Sequence, residues 1–305
     1  MDNNVKTKSA FITIVGRANV GKSSLLNLMV GEKIAAVSSK PQTTRTKIVG
    51  VSTKGETQFV FIDTPGMHRP KNKLSGHMVK TINDAVADGE IIIMVTDCTK
   101  KISEHETGLI KSFNAKKMKV ILVINKIDLL EDKSALISVI SEYAKLYVFD
   151  EIIPISVIEK DGTNELMEIL EKYAAYGPHY FPDDSVTDQP ERVIMAEIIR
   201  EKALRCLNEE VPHGIAVTVE QLNERRDKSG EDILDISVNI YCERDTHKSI
   251  IIGKNGAMLK KIGSEARSEL QRFFRIKVNL QCWVKVKKDW RNSEAMIRNF
   301  GLSDK

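Results

Sequence analysis

At 305 residues, with 42% apolar and 29% charged residues, the chain has the composition of a folded globular protein long enough for two domains. No apolar run approaches the ~20 residues needed to cross a bilayer, and no amino-terminal apolar leader precedes the first strand, so a membrane-spanning or secreted protein is not expected. The net charge of +4 is uneven: Thr246–Arg291 carries twelve Lys or Arg against three acids, leaving the remainder net negative, the pattern of a surface for a polyanion, nucleic acid first.

From Phe11 to Tyr173, short β-rich runs alternate with helical patterns: FITIV (11–15), FVFID (59–63), EIIIMV (90–95), KVILVIN (119–125) and EIIPIS (151–156). This rhythm predicts an α/β fold with a mostly parallel sheet flanked by helices. The first strand runs into Gly16-Arg17-Ala18-Asn19-Val20-Gly21-Lys22-Ser23, a G-x-x-x-x-G-K-[ST] loop opening a helical run, Ser24–Met29. Backbone N–H groups in such a loop close around phosphate at a helix amino terminus. Lys22 is expected to reach the β- and γ-phosphates and the Ser23 hydroxyl to ligate Mg²⁺.

Two further elements end predicted strands, where open α/β sheets place their ligand sites. In Asp63-Thr64-Pro65-Gly66, Asp63 can hold Mg²⁺ through water, and the Gly66 N–H can meet the γ-phosphate. In Asn125-Lys126-Ile127-Asp128, the Asp128 carboxylate can accept from N1–H and the 2-amino group of guanine, donors that adenine does not present there, so the element selects GTP over ATP.

The series GRANVGKS, DTPG, NKID and a later Ser156-Val157 resembles the motifs of translation-factor-class P-loop GTPases. The resemblance implies that Ser156 and the Val157 N–H complete the base pocket, although Val157 stands where Ala is common. It also implies that a threonine of Pro41-Gln42-Thr43-Thr44-Arg45, Thr44 favoured over Thr43, closes on Mg²⁺ and the γ-phosphate. The catalytic set is therefore Lys22, Thr44 and Gly66. Met67 stands where Ras-like enzymes carry a water-orienting glutamine; relatives with an apolar residue there include K⁺ users, which makes Asn19 a candidate K⁺ ligand and implies slow intrinsic hydrolysis.

Residues 176–191, YGPHYFPDDSVTDQPE, hold three prolines and no period, and are expected to be a linker between a GTPase domain (1–175) and a second domain (192–305). In the latter, Val193–Leu207 reads as a helix. Leu234, Ile236, Val238 and Ile240 alternate as a strand, Leu259, Ile262, Ala266, Leu270 and Phe273 keep helical spacing, and Val278 to Val286 alternate again. Between them lies Ile252-Gly253-Lys254-Asn255-Gly256. A G-x-x-G turn inside the basic block, in the order helix, strand, strand, helix, turn, helix, strand, resembles a type II KH domain, an α+β fold that binds single-stranded RNA. Candidate RNA-binding residues are Ile252, Gly253, Lys254, Asn255, Gly256, Lys260, Lys285, Lys287 and Lys288, with Trp290 either stacking on a base or packing.

Together the halves, from Ser9 to Arg298 and with PQTTR, DTPGMHRP, YFPDDSVTDQPER, ERDTHKSIIIGKNG and VKVKKDWR as specific marks, resemble a family of bacterial ribosome-assembly GTPases. That resemblance implies 16S ribosomal RNA near its 3′ end and the 30S small ribosomal subunit as partners. It also implies a cytoplasmic protein with peripheral contact at the inner face of the cell membrane. The expected cofactors are GTP/GDP and Mg²⁺, with K⁺ in addition. Four scattered cysteines and no His cluster predict neither disulfides nor zinc, and no heptad is left over, so a monomer is expected. The alternatives are an RNA chaperone for which GTP is only a ligand and a membrane-remodelling GTPase; the latter is disfavoured because no long amphipathic helix is present.

Overall fold

The computed structural model describes residues 6–40, 42–67, 72–88, 90–116, 118–132, 134–226 and 229–303. Pro41 of PQTTR and His68, Arg69 and Pro70 of DTPGMHRP lie outside them. The chain forms two compact units: 6–34, 44–67 and 78–188 in the first, 35–43, 72–77 and 189–303 in the second.

The first unit follows the alternation expected of it. In chain order come β1 (Lys8–Gly16), α1 (Lys22–Val30), β2 (Ile48–Lys54), β3 (Thr57–Asp63), α2 (Lys73–Asp88), β4 (Ile91–Asp97), α3 (Glu104–Lys116), β5 (Lys119–Asn125), α4 (Ser134–Ala144), β6 (Glu151–Pro154), α5 (Thr163–Tyr173) and β7 (Ala175–Tyr176). Residues 73–77 of α2 belong to the second unit. The strands order as β2-β3-β1-β4-β5-β6, with β7 on β1; only β2 and β7 run antiparallel to their neighbours. Every residue of β4 and six of the seven in β5 are buried, as strands covered on both faces must be. The carboxyl ends of β1, β3, β4 and β5 therefore converge on one side of the sheet, and each carries a polar motif.

The segment expected as a linker is not free along most of its length: 176–188 belongs to the first unit. The buried Gln58 side chain accepts from Tyr180 N (2.8 Å) and Phe181 N (3.0 Å) and donates to Phe181 O (2.9 Å). Val51 N donates to Val186 O (2.9 Å), and Thr187 Oγ1 to Val49 O (2.5 Å). The strap thus satisfies backbone groups along the edge strand β2, which would otherwise be open.

In the second unit, α6 (Glu191–Cys206), β8 (Ala216–Arg226), β9 (Asp232–Cys242), α7 (Asp245–Ile252), α8 (Ala257–Phe274), β10 (Lys277–Val286) and α9 (Glu294–Asn299) follow in order. The sheet is β10-β9-β8, parallel between β10 and β9 and antiparallel between β9 and β8. Leu234, Ile236, Val238 and Ile240 of β9 pack with Ile198 of α6 and Ile262, Ala266 and Leu270 of α8. Helix α6 also buries Arg200, Glu201 and Lys202: Arg200 donates to Thr43 O, Glu201 accepts from Val37 N (2.9 Å), and Lys202 joins Glu201 (3.1 Å) to Glu269 of α8 (2.9 Å). Among the described residues, no helix is long and apolar enough to cross a membrane.

Candidate functional site: a phosphate loop and an RNA groove

The 16–23 loop leaves the carboxyl end of β1 and enters α1, as the spacing predicts. Lys22 is buried, its Nζ donating to Gly16 O (3.1 Å) and Arg17 O (2.9 Å) within the loop. Burial pushes its pKa down to about 8 despite the attraction of Asp63. The amine is thus held at the loop's centre with carbonyl dipoles and one distant carboxylate as partners, an arrangement suited to a polyanion.

Three oxygen donors meet beside it. Ser23 Oγ donates to Asp63 Oδ2 (2.6 Å) and lies 2.7 Å from Thr44 Oγ1, which is itself 3.5 Å from Asp63 Oδ2. Thr43, by contrast, turns its hydroxyl to Lys40 O (2.6 Å). Asp63 is fully buried at the end of β3, and its Oδ1 has no hydrogen-bond partner. Burial raises its pKa to about 6, against the opposing pull of Lys22, Ser23, Thr44 and the Thr64 backbone. A buried carboxylate with an orphaned oxygen beside two hydroxyls is a set of hard oxygen donors that fits Mg²⁺.

Gly66 is required by close approach: a Cβ there would sit 2.6 Å from Ala18 Cα and 2.8 Å from Ala18 N. Met67 N donates to Gly16 O (3.3 Å) and its side chain packs against the core cluster around Val15 and Ile92, so it presents no hydrogen-bonding group.

The candidate base pocket draws on three strands. Asn125 Nδ2 donates to Val20 O (2.8 Å) and its Oδ1 accepts from Val157 N (3.2 Å), binding loop 16–23 to the 156–157 turn. Asp128 Oδ1 accepts from Ser156 Oγ (2.5 Å). Lys126 Nζ donates to Asn19 O (2.9 Å) and to Asp97 Oδ2 (2.6 Å). Asp97 was not singled out from sequence. Burial would raise its pKa, but hydrogen bonds from Lys126 and Thr99 outweigh burial and hold it below the usual carboxylate range. Its one sequence signal is its place as the last residue of an apolar strand, the position that Asp63 also takes.

In the second unit the turn between α7 and α8 has the geometry that G-x-x-G requires. Gly253 adopts φ 72°, and a Cβ there would lie 2.7 Å from Met258 Cβ. Ile252 is half-buried, and Lys254 and Asn255 are exposed. Gly256 of the turn, Leu259, Lys260, Gly263, Ser264 and Arg267 of α8, and Leu280 and Cys282 of β10 line an open groove of about 420 Å³, basic along one wall and apolar at its base.

The structure does not bring every candidate to this groove. Strand alternation puts Lys285 on the face opposite Leu280 and Cys282. Lys288 instead lines a separate depression with Glu243, Arg244, Asp245, Asp289 and Arg291. Trp290 is a core residue: it is fully buried, its Nε1 donates to Gly214 O (2.9 Å), and Phe300 packs edge-on to it. Among the described residues of the second unit the exposed aromatic is Trp283, which no sequence motif marks.

Residues 11–126 match the family model described as 50S ribosome-binding GTPase, and residues 210–291 match that of the KH domain. GTPase Era of Clostridioides difficile (strain 630) is 50% identical over 298 residues, spanning 98% of this chain and 99% of the relative. The crystal structure of Era with MgGDPNP and nucleotides 1506–1542 of 16S ribosomal RNA superposes with a TM-score of 0.93 at 36% identity, covering 98% of this chain and all of that one. A variant of Aquifex aeolicus Era bound to GDP·AlF4⁻ matches with the same TM-score, identity and coverage. With half of its residues shared over nearly the whole chain and both family models matched, the chain belongs to the Era family of GTPases and is an enzyme that binds and hydrolyses GTP.

Proposed function

We propose that this GTPase is a GTP-timed clamp for the 3′ end of 16S ribosomal RNA, acting in assembly of the 30S subunit. The observation that carries the proposal is one chain holding both a complete set of GTPase donors and a basic groove beside a strained G-x-x-G turn. The related Era complex adds support, since it pairs a GTP analogue with a fragment of that RNA.

In the nucleotide site, Lys22 exchanges the carbonyls of Gly16 and Arg17 for the β- and γ-phosphates, whose charge restores the proton affinity that burial removes. Backbone N–H groups of residues 16–23 and of Gly66 surround the phosphates, with Thr64 and Pro65 setting the turn that aims Gly66; Thr64 Oγ1 is anchored on Ile14 O (2.8 Å). Ser23, Thr44 and Asp63 hold Mg²⁺, which supplies charge neutralisation at the phosphates when bound. Thr44 engages while the γ-phosphate is present and releases once it has left. Asp128 reads the guanine edge, with Asn125, Lys126, Ser156 and Val157 fixing its wall. With Met67 unable to orient water, intrinsic hydrolysis is slow, and Asn19 contributes to a K⁺ site that assists it. On the RNA side, Ile252, Gly253, Lys254, Asn255, Gly256 and Lys260 clamp the backbone, and Lys285, Lys287 and Lys288 lie outside that groove. The protein works in the cytoplasm as a monomer, with peripheral contact at the membrane.

The test is binding of a short RNA matching the small-subunit 3′ end to protein loaded with a non-hydrolysable GTP analogue or with GDP. Tight binding with the analogue, weaker with GDP, with scrambled RNA and with Lys254→Asp, is the expected result. Equal binding in all four would leave only the GTPase.

A further inference from the structure

One face of the three-stranded sheet is buried under α6 and α8; on the other, β10 is exposed, whereas Asn239 of β9 is buried and its Nδ2 donates to Tyr241 Oη (3.3 Å). Along β10 the inward residues Leu280, Cys282, Val284 and Val286 are half-buried, while Asn279, Gln281, Trp283 and Lys285 point the other way and are exposed. Trp283 is 61% exposed. In register it stands beside Asn239, and the next row, Lys285 beside Tyr241, ends under Phe300, whose ring lies 4.8 Å from that of Tyr241. The carboxyl-terminal turn therefore covers one end of the face and stops a row short of Trp283.

A single exposed apolar residue needs no explanation in general. This one sits on an edge strand whose inward side lines the RNA groove, so groove and open face are the two sides of one strand. The groove of a KH domain takes about four nucleotides, and the β10 edge lies within reach of a longer RNA that continues beyond it. Carboxylates of this face are engaged within the sheet, Asp235 by Arg225 (2.5 Å) and Asn279 (2.8 Å), and Glu220 by Thr218 (2.6 Å), Asn239 and the charge of Lys285, while the exposed Lys285 and Lys287 follow Trp283 at two-residue spacing. An indole flanked along its strand by the exposed Gln281 and Lys285 combines a stacking plane, a base-edge partner and a phosphate partner, the equipment of a single-strand platform.

Resting on the RNA-clamp reading above, we propose that the open face of β10 is a second RNA contact. A base continuing beyond the groove stacks on Trp283, while Lys285 and Lys287 meet its flanking phosphates.

The chain has two tryptophans and Trp290 is buried, so a base stacked on Trp283 reports directly in fluorescence. Full-length protein loaded with a non-hydrolysable GTP analogue is titrated with a tetranucleotide that fills the groove and with the same RNA extended to about ten nucleotides. The extended RNA should quench the exposed indole and bind roughly 5- to 150-fold more tightly, the range for stacking one base. Trp283→Ala and Trp283→Gln should remove that gain, Trp283→Phe should restore most of it, and none should change tetranucleotide binding; equal melting temperatures would show all three folded. Absence of quenching, with wild type and Trp283→Ala binding the extended RNA equally, would overturn the second contact. The groove reading would survive that result if Lys254→Asp still weakened both RNAs; if Lys254→Asp weakened neither, the groove reading would fail as well.

Discussion

The two sites of this molecule are built in opposite ways. In the candidate nucleotide site, Gly16, Asp63, Asp97 and Asn125 are each the last residue of a buried strand, and Lys22, Ser23, Gly66 and Asp128 follow within a few residues of one of them. Their positions are fixed by a sheet that cannot shift without exposing its core, and the spacing within each loop is local in sequence. The groove proposed to take RNA instead lies along α8 and the edge strand β10, and its lining depends on which side of a strand a residue faces. A one-residue difference in register separates a groove residue from an open-face residue, so charge alone is a poor guide.

The largest expected effect breaks the nucleotide side alone. Lys22→Ala should abolish measurable GTP hydrolysis while leaving the second unit's melting unchanged; retained turnover would mean that the loop does not act as described. Asp128→Asn should weaken GTP roughly 10³- to 10⁴-fold, because an amide N–H then faces the donors of guanine. The same variant should gain xanthosine triphosphate, whose 2-oxygen accepts from that amide, and a competition assay reads both changes. Next, Gly66→Ala places a methyl against the Ala18 backbone and should lower kcat about 10²-fold with GDP affinity unchanged.

Smaller effects sharpen the division within one loop. Thr44→Ala should weaken Mg²⁺-dependent binding of a GTP analogue by about tenfold and spare GDP, whereas Thr43→Ala, whose hydroxyl only closes its own turn, should do neither. The smallest concerns the strap. His179 lies 2.6 Å from Asp183 Oδ1 through Nδ1 and 3.1 Å from Glu56 O through Nε2, two acceptors that only the doubly protonated ring can satisfy. The hydrogen bond to Asp183 raises its pKa above the usual 6.5. Stabilisation of the strap is therefore complete below pH 6.5 and lost as pH rises through the higher folded value. Hydrogen exchange at Tyr180 and Phe181 should speed up over that window, beyond its intrinsic pH dependence, in the parent but not in His179→Gln.

Much of this was legible in sequence where chemistry is local. The 16–23 loop, DTPG and NKID were placed at strand ends by motif and alternation, and α8 spans Ala257–Phe274 as its apolar spacing predicts. Asp97 escaped because no motif surrounds it; its role exists only through Lys126, which is distant in the chain. The strap read as a linker because three prolines and no period carry no trace of Gln58, its buried partner across the sheet. Trp283 could have been found: the alternation that turns Cys282 and Val284 inward turns Trp283 outward. Trp290 stands at the same two-residue distance from the lysine run, on its other side, and is buried.

The account stands on hydrolysis setting the lifetime of the RNA complex. Mixing experiments that follow phosphate release and RNA release from a single turnover of GTP-loaded protein test this directly. RNA release that keeps pace with phosphate release, and stalls with a non-hydrolysable analogue, is the predicted result. RNA leaving at one rate whether or not GTP is hydrolysed would contradict it.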